Sequence, residues 1–211
     1  MKVLLGTTNP SKIRRFAELM SGYGIEFCTL LDIGIDEEPD EFGNTPEENA
    51  IIKANFYGKY FDRVICNDSG LYFDSLPIND PRQPGLHIRT PNGERLEDEE
   101  MIEYYSSLVS SLGGRVLAYY LDGIAVYNCG KVYSYMENSD ATKASAFYMV
   151  DIVSKRRNPG WPLDSISINK GTNLYFTDKD NNKFDTTNEN IMLGEYRNRL
   201  REFMAKVLGL Q

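Results

Sequence analysis

The chain has 211 residues, 41% of them hydrophobic, and a formal net charge of −8. This length and apolar content fit one sizeable domain or one domain with two lobes, and no run of about 18 apolar residues exists to span a membrane. The acidic balance argues against a nucleic-acid polymer as partner, because proteins that grip a nucleic-acid backbone usually present a basic surface. A small anion such as a nucleotide needs only a few local cations and stays open.

The first half of the sequence alternates strand and helix patterns, with polar stretches at the ends of the apolar ones. The predicted elements are a strand at 2–6, a turn at 7–12, a helix N-capped by Ser11 and running to Gly22, a second strand at 25–33, an acidic turn-rich stretch at 34–50, a helix that starts with Thr45 as N-cap and runs towards Phe61, and a strand, loop and strand at 63–74.

The second half is richer in strand patterns. The predicted elements are a proline-rich loop at 76–96, a helix at 97–112, an antiparallel meander at 115–153 with turns at 129–130 and 137–140, a polar turn at 177–183 and a closing helix near 189–208. We therefore predict an α/β fold with an elongated mixed central sheet flanked by helices. We expect residues 1–211 to form a single domain of two lobes, with the active cleft between them.

Cysteine and histidine usage narrows the chemistry. The three cysteines, Cys28, Cys66 and Cys129, are odd in number and widely spaced, so we expect them to be reduced. The single histidine, His87, lies in a loop-like stretch, and this excludes chemistry built on several histidines. The apolar stretch before Gly6 is too short for a signal peptide, and we expect a cytoplasmic protein.

The first polar stretch is "GTTNPSK" at 6–12, where a strand feeds a turn and then a helix. Free backbone N–H groups at a helix start favour anions, and Lys12 adds a point charge suited to phosphate. The glycine spacing of a P-loop is missing. Taken alone, the stretch fits a capped turn as well as it fits a phosphate site.

The second polar stretch is "EFGNTPEENAIIKAN" at 41–55. Glu48 closes the predicted capping box, which gives it a structural role. Asn49 and Lys53 are four residues apart and share a helical face. Glu41 and Lys53 have no comparable structural role, so they are candidates for function.

The third polar stretch is "NDSGL" at 67–71, which interrupts an apolar run. A carboxylate buried alone is costly, and it becomes tolerable beside a metal or a cation. Mg²⁺ binds through one or two carboxylates plus substrate phosphates, so Glu41 and Asp68 make a candidate pair, with Lys12 and Lys53 neutralising the remaining charge. A polar turn between two strands is the alternative interpretation.

Together these stretches resemble the inosine triphosphate pyrophosphatase family, also called non-canonical purine nucleoside triphosphate pyrophosphatases. The matches lie roughly within the first 90 residues. They are Thr7-Thr8-Asn9-Pro10-Ser11-Lys12 for T-x-N-x-x-K, residues 41–54 for E-x-G-x-T-x-x-E-N-A-x-x-K-A, Asn67-Asp68-Ser69-Gly70-Leu71 for D-D-S-G-L, and Pro84-Gly85 with Arg89 for P-G-x-x-x-R.

The resemblance implies Mg²⁺-dependent hydrolysis of a nucleoside triphosphate such as ITP, dITP or XTP to the monophosphate and pyrophosphate, by a homodimer. By position, Glu41 and Asp68 would hold the metal, Asp68 would also orient or deprotonate the attacking water, and Lys53 would be catalytic beside it. The implied substrate-binding residues are Thr7, Thr8, Asn9, Lys12, Asn49, Ser69, Trp161, Asp164, Tyr196 and Arg197.

The base-binding half of the pattern is altered. Trp161-Pro162-Leu163-Asp164 stands where the family has F-G-Y-D, and Glu195-Tyr196-Arg197 stands where it has S-H-R. The resemblance therefore implies the reaction and leaves the base and the sugar open. Two alternatives remain: a pyrophosphatase with altered base specificity, and a nucleotide-binding or sensing protein without turnover.

Overall fold

The structure is a computed structural model that describes residues 1–137, 142–143, 145–158, 160–178 and 187–210, with no side-chain description for 187–193. The turn predicted at 137–140 and most of the turn predicted at 177–183 lie outside these residues. The strands are β1 (Lys2–Leu5), β2 (Glu26–Thr29), β3 (Arg63–Phe73), β4 (Arg115–Asn128), β5 (Lys131–Met136), β6 (Phe147–Val150) and β7 (Ser167–Ile168). The helices are α1 (Pro10–Leu19), α2 (Pro46–Tyr57), α3 (Asp98–Ser111) and α4 (Thr187–Leu208), with short 3₁₀ turns at Leu31–Ile33 and Pro162–Ser165.

The described strands form one mixed sheet in the order β2-β1-β3-β4-β6-β7, with β5 paired to β4. β1 runs parallel to β2 and β3, whereas β4 is antiparallel to β5 and β6, and β6 to β7. The predicted mixed sheet flanked by helices is confirmed. The elongated shape and the cleft stay predictions.

The chain divides into two compact units. The first consists of the described residues within Met1–Ser69, Leu121–Asn138 and Gly194–Gln211, and the second of those within Gly70–Tyr120 and Ser139–Leu193. The single domain expected over 1–211 stays a prediction.

Alternation along β1 explains how the first unit is layered. Successive strand residues point to opposite faces. Val3 and Leu5 belong to an apolar cluster with buried residues of α1 and α4, while Leu4 belongs to a separate cluster with buried residues of α2. The sheet of the first unit is therefore covered by α1 and α4 on one face and by α2 on the other.

The second unit has its own apolar core. It is built from buried residues of α3, the adjoining parts of β3 and β4, β6 and the 3₁₀ turn that precedes β7, among them Phe73, Tyr105, Val116, Met149 and Ile166. α3 begins with a capping box between Glu97 and Glu100, as expected for its acidic start.

Several local predictions were wrong. The strand predicted at 25–33 ends at Thr29, and Leu31–Ile33 form a 3₁₀ turn. Two other errors bear on the polar stretches. α1 is capped by Asn9 and not by Ser11, because the Asn9 Oδ1 accepts hydrogen bonds from the backbone N–H groups of Ser11 and Lys12, at 2.9 and 3.3 Å. The stretch 67–71 is not a loop, since β3 runs through it unbroken. Within this strand the side chains of Asp68 and Ser69 are both hydrogen-bonded by nearby groups.

Gly123 of β4 lets α2 start directly against the sheet. A Cβ atom at this position would overlap the backbone at Pro46 and Glu47, the first residues of that helix. Only glycine allows so close an approach, and the approach brings the first turn of α2 to the polar segment of β3.

Candidate active site

Asp68 is a buried carboxylate in the middle of β3, with its side chain 12% exposed. Its Oδ2 accepts a hydrogen bond from Asn49 Nδ2 at 3.1 Å, and its Oδ1 lies 3.3 Å from Lys53 Nζ. Both donors come from α2. The alternative of a plain polar turn is therefore excluded, because Asp68 lies within a strand and two residues of α2 hold its charge in place.

Lys53 joins Asp68 to Glu41. Its Nζ also lies 2.7 Å from Glu41 Oε1, so one ammonium contacts both carboxylates. Burial alone would lower the pKa of Lys53, but the charges of Asp68 and Glu41 outweigh it and raise that pKa above its ordinary value. Three residues that the sequence analysis grouped as functional thus lie together.

The buried amide of Asn49 ties the segment that carries Glu41 to Asp68. Its Oδ1 accepts a hydrogen bond from Gly43 N at 2.8 Å, while its Nδ2 donates to Asp68. Thr45 caps α2 as predicted, but Glu48 does not close the predicted capping box, because its carboxylate accepts a hydrogen bond from Asn44 N at 2.6 Å and not from Thr45 N. Asn49 was predicted to bind substrate. The structure gives it positioning contacts, and a contact with substrate stays a prediction.

Lys12 approaches the same segment from α1. Its Nζ lies 3.4 Å from the backbone oxygen of Asn67. The pKa of Lys12 is lowered, because burial penalises its charge and Lys53 repels it, an effect that Asp68 and Asp122 only partly oppose. A repelled, desolvated ammonium of this kind gains from a nearby anion.

The turn before α1 is partly engaged in its own structure. Thr7 Oγ1 accepts a hydrogen bond from Asn9 N at 3.2 Å, and Thr8 is exposed. The Asn9 oxygen is occupied by capping, whereas its Nδ2 has no partner among the described residues. Asn9 therefore has two N–H bonds left to offer to an acceptor.

Ser69 belongs to a second polar group that sequence reasoning missed. Its Oγ donates to Asp122 Oδ1 at 2.6 Å, and Asp122 Oδ2 pairs with Arg15 at 2.8 Å. The Arg15 guanidinium also donates to Tyr196 Oη at 3.4 Å. Two sequence signals could have revealed this group. Asp122 interrupts the apolar run "YYLDGIAVY", just as Asp68 interrupts the apolar run of β3, and Arg15 lies one helical turn after Lys12.

Three further residues were predicted to contact substrate. Trp161 and Asp164 belong to the second unit, where Trp161 is 46% exposed and Asp164 accepts a hydrogen bond from Asn158 at 2.8 Å. Burial raises the pKa of Asp164. Arg197 is exposed on α4 and makes no hydrogen bond or ion pair with the described residues. Their roles stay predictions.

The donor set fits a hard divalent cation that also takes ligands from a substrate. Glu41 and Asp68 supply two carboxylates held at one ammonium, and Mg²⁺ commonly binds through one or two carboxylates with phosphates and water. Within the described part of the chain, no group of three or more His, Cys, Asp or Glu residues could enclose a metal by itself. A site of this kind would be completed by phosphates.

No helix in the described part of the chain has the length and apolar character needed to cross a membrane.

Comparison with known proteins places the chain. It is 38% identical to the dITP/XTP pyrophosphatase of Thermoanaerobacter pseudethanolicus over 101 aligned residues, and this aligned stretch is 47% of this chain and 49% of the relative. It is 37% identical to the dITP/XTP pyrophosphatase of Bacillus subtilis over 103 aligned residues, which are 48% of this chain and 50% of that relative. The chain therefore spans about half the length of the curated relatives it matches.

Solved structures share the fold over nearly the whole chain. The Staphylococcus aureus Ham1 protein superposes with a TM-score of 0.66 at 21% identity, covering 96% of this chain and 99% of that one. A HAM1 protein from Coxiella burnetii gives a TM-score of 0.67 at 19% identity, covering 98% and 99%. The Ham1 family model matches residues 3–151, more than half of the chain. The predicted relationship to inosine triphosphate pyrophosphatases is confirmed, and the chain belongs to the Ham1 family.

Proposed function

We propose that the chain hydrolyses a non-canonical purine nucleoside triphosphate, such as dITP, ITP or XTP, to the monophosphate and pyrophosphate in the presence of Mg²⁺. The observation that carries the proposal is the contact of Lys53 with both Glu41 and the buried Asp68. The relatives named dITP/XTP pyrophosphatase support the choice of substrate.

Asp68 has the central role in the proposed reaction. A water oxygen adds to the α-phosphorus, the bond from that phosphorus to the bridging oxygen breaks, and pyrophosphate leaves. Asp68 orients this water and accepts its proton, which a carboxylate fixed by Asn49 and Lys53 can do without rearrangement. Glu41 and Asp68 would hold Mg²⁺, which when bound supplies Lewis-acid stabilisation of charge on the phosphates.

The cations and the α1 turn bind the triphosphate. Lys12 and Lys53 place two ammonium groups near Asp68, and their charge stabilises the developing negative charge on the leaving group. Thr7, Thr8 and Asn9 contact phosphate oxygens. At Asn9 the contact is made by the amide Nδ2, because the cap occupies the side-chain oxygen.

Four residues bind the base. Trp161 stacks on it, and Asp164, Tyr196 and Arg197 contact its polar edge, while Ser69 contacts the substrate beside Asp68. We also propose a cytoplasmic homodimer, and the dimer is tested by light scattering after size-exclusion chromatography.

A pyrophosphate-release screen tests the proposal. Purified chain with Mg²⁺ is offered ITP, dITP, XTP and the four canonical nucleoside triphosphates, and we expect the deaminated purines to be cleaved fastest. Asp68→Asn should lower the rate by about 10²–10⁴-fold, the usual contribution of a positioned general base. Asp62→Asn is the matched control, since Asp62 is exposed just before β3.

Two results would contradict the proposal. Activity of the Asp68→Asn variant equal to that of the control would remove the role of Asp68. Nucleotide binding by calorimetry without any pyrophosphate release would instead favour a nucleotide-binding or sensing protein.

A further inference from the structure

The group formed by Ser69, Asp122, Arg15 and Tyr196 lies within the first unit, and the proposed reaction gives Arg15 and Asp122 no role. Three contacts connect its members in a row, at 2.6 Å from Ser69 to Asp122, 2.8 Å from Asp122 to Arg15 and 3.4 Å from Arg15 to Tyr196. Ser69 directly follows Asp68, and Tyr196 stands in the segment expected to meet the base. The proposed function assigns both ends of the row to substrate binding, Ser69 beside Asp68 and Tyr196 at the base.

The direction of the first hydrogen bond is fixed by charge. Burial would raise the pKa of Asp122, but the Arg15 charge and the Ser69 hydrogen bond lower it, so the group is a carboxylate at neutral pH. A carboxylate only accepts hydrogen bonds, and 2.6 Å is typical of an O–H donor to a charged oxygen. The single proton of Ser69 is thus committed to Asp122, and its Oγ offers only lone pairs to a ligand.

The direction at the other end is fixed in the same way. A guanidinium only donates, so Tyr196 Oη is the acceptor of its bond with Arg15. The phenol proton of Tyr196 has no acceptor among the described residues. Burial and the Asp122 charge raise the pKa of Tyr196, so the proton is retained at neutral pH. Tyr196 can therefore donate one hydrogen bond to a ligand.

We propose that the Arg15–Asp122 pair is a positioning pair that sets the polarity of two substrate contacts, leaving Ser69 to accept a hydrogen bond from a sugar hydroxyl and Tyr196 to donate one to a carbonyl oxygen of the base. This rests on the proposed function. Ionised phosphate oxygens cannot donate to Ser69, and the sugar lies between the phosphates and the base in the covalent order of a nucleotide. The carbonyl oxygen of a keto base can accept a hydrogen bond from the Tyr196 hydroxyl. An amino group in the same place would set one hydrogen-bond donor against another.

Asp122→Asn inverts the polarity without changing the shape. The amide keeps its oxygen towards Arg15 and turns its NH₂ to Ser69, which then points its own proton outwards. Dissociation constants are measured by calorimetry on the full chain with Mg²⁺, for ITP and for inorganic tripolyphosphate, which lacks sugar and base. We expect affinity for ITP to fall about tenfold, close to the worth of one hydrogen bond, and affinity for tripolyphosphate to change by less than about twofold.

Two further variants test the ends separately. Ser69→Ala removes one oxygen and leaves the Arg15–Asp122 pair intact, so it decides the question if Asp122→Asn fails to fold. The Ser69→Ala variant should bind ITP more weakly than the wild type and bind tripolyphosphate with unchanged affinity. Tyr196→Phe should weaken ITP about tenfold and leave ATP, which carries an amino group in place of the keto oxygen, within about twofold.

The possible failures are distinguishable. Equal losses for ITP and tripolyphosphate in Ser69→Ala would place Ser69 on a phosphate and overturn the inference alone, as would unchanged ITP affinity in Asp122→Asn. A wild-type chain that binds neither probe would overturn the proposed function, and the inference with it.

Discussion

Replacing Lys53 by methionine should destabilise the protein and make its stability more dependent on Mg²⁺. The side chains of Lys53 and Asp68 are only 16% and 12% exposed, so the variant leaves Asp68 largely buried beside Glu41 without the ammonium that both contact. Breaking a buried ion pair from one side costs about 3–5 kcal/mol. Glu41, at 38% exposure, regains water, so we expect about 3 kcal/mol, the lower end of that range.

Thermal unfolding measures the effect. A loss of about 3 kcal/mol lowers the Tm by about 6–12 °C in a chain of this length. Millimolar Mg²⁺ should raise the Tm of the variant more than that of the wild type, because the two carboxylates have no competing cation. Lys131→Met, at an exposed lysine without an ion pair among the described residues, is the control and should cost no more than about 0.5 kcal/mol. An unchanged Tm in Lys53→Met, or equal responses to Mg²⁺, would refute the reasoning.

Three other predictions concern stability and reactivity. Gly123→Ala should lower the free energy of unfolding, measured with denaturant, by about 3 kcal/mol, because the new Cβ meets the start of α2. Gly194→Ala places a Cβ in open space at a helical position and should raise the free energy of unfolding by up to about 1 kcal/mol. Equal effects of the two variants would contradict the packing argument. Burial raises the pKa of Cys66 to about 12, so alkylation at about pH 8 should label the exposed Cys129 first and Cys66 only after unfolding, as mass spectrometry would show. The pKa of Asp122 is lower in the folded chain than in the unfolded chain, so its ionised carboxylate stabilises the fold at pH values above the unfolded pKa, and this stabilisation is lost as the pH falls. The difference in unfolding free energy between wild type and Asp122→Asn should therefore shrink below about pH 4. A difference that stays constant with pH would contradict this.

Much of the fold was predictable because its signals are local. The Thr45 cap of α2, the glycine pair that ends α3 and the alternation of strand and helix patterns each depend on neighbouring residues. The error at β3 arose where distant partners decide. β3 continues through Asp68 because α2 supplies Asn49 and Lys53, and a sequence window around 67–71 contains neither.

The candidate site was predictable in part for the same reason. Glu41, Lys53 and Asp68 stood out as charges without a structural role, and the family pattern grouped them. Arg15 and Asp122 fitted no pattern, since they pair with each other across a long stretch of sequence within the first unit. The available signal was a carboxylate within an apolar run, and this signal is the same at Asp122 as at Asp68.

The capping of α1 explains which residues position 9 tolerates. Serine or aspartate could supply the cap oxygen but would offer no N–H bonds to an anion, and glutamine could offer them but is a poor cap. Asparagine alone does both with one planar group, its oxygen turned to the helix and its nitrogen turned away. If Asn9 binds phosphate as proposed, the N of the motif T-x-N-x-x-K serves both the folding of α1 and the binding of the ligand through a single amide.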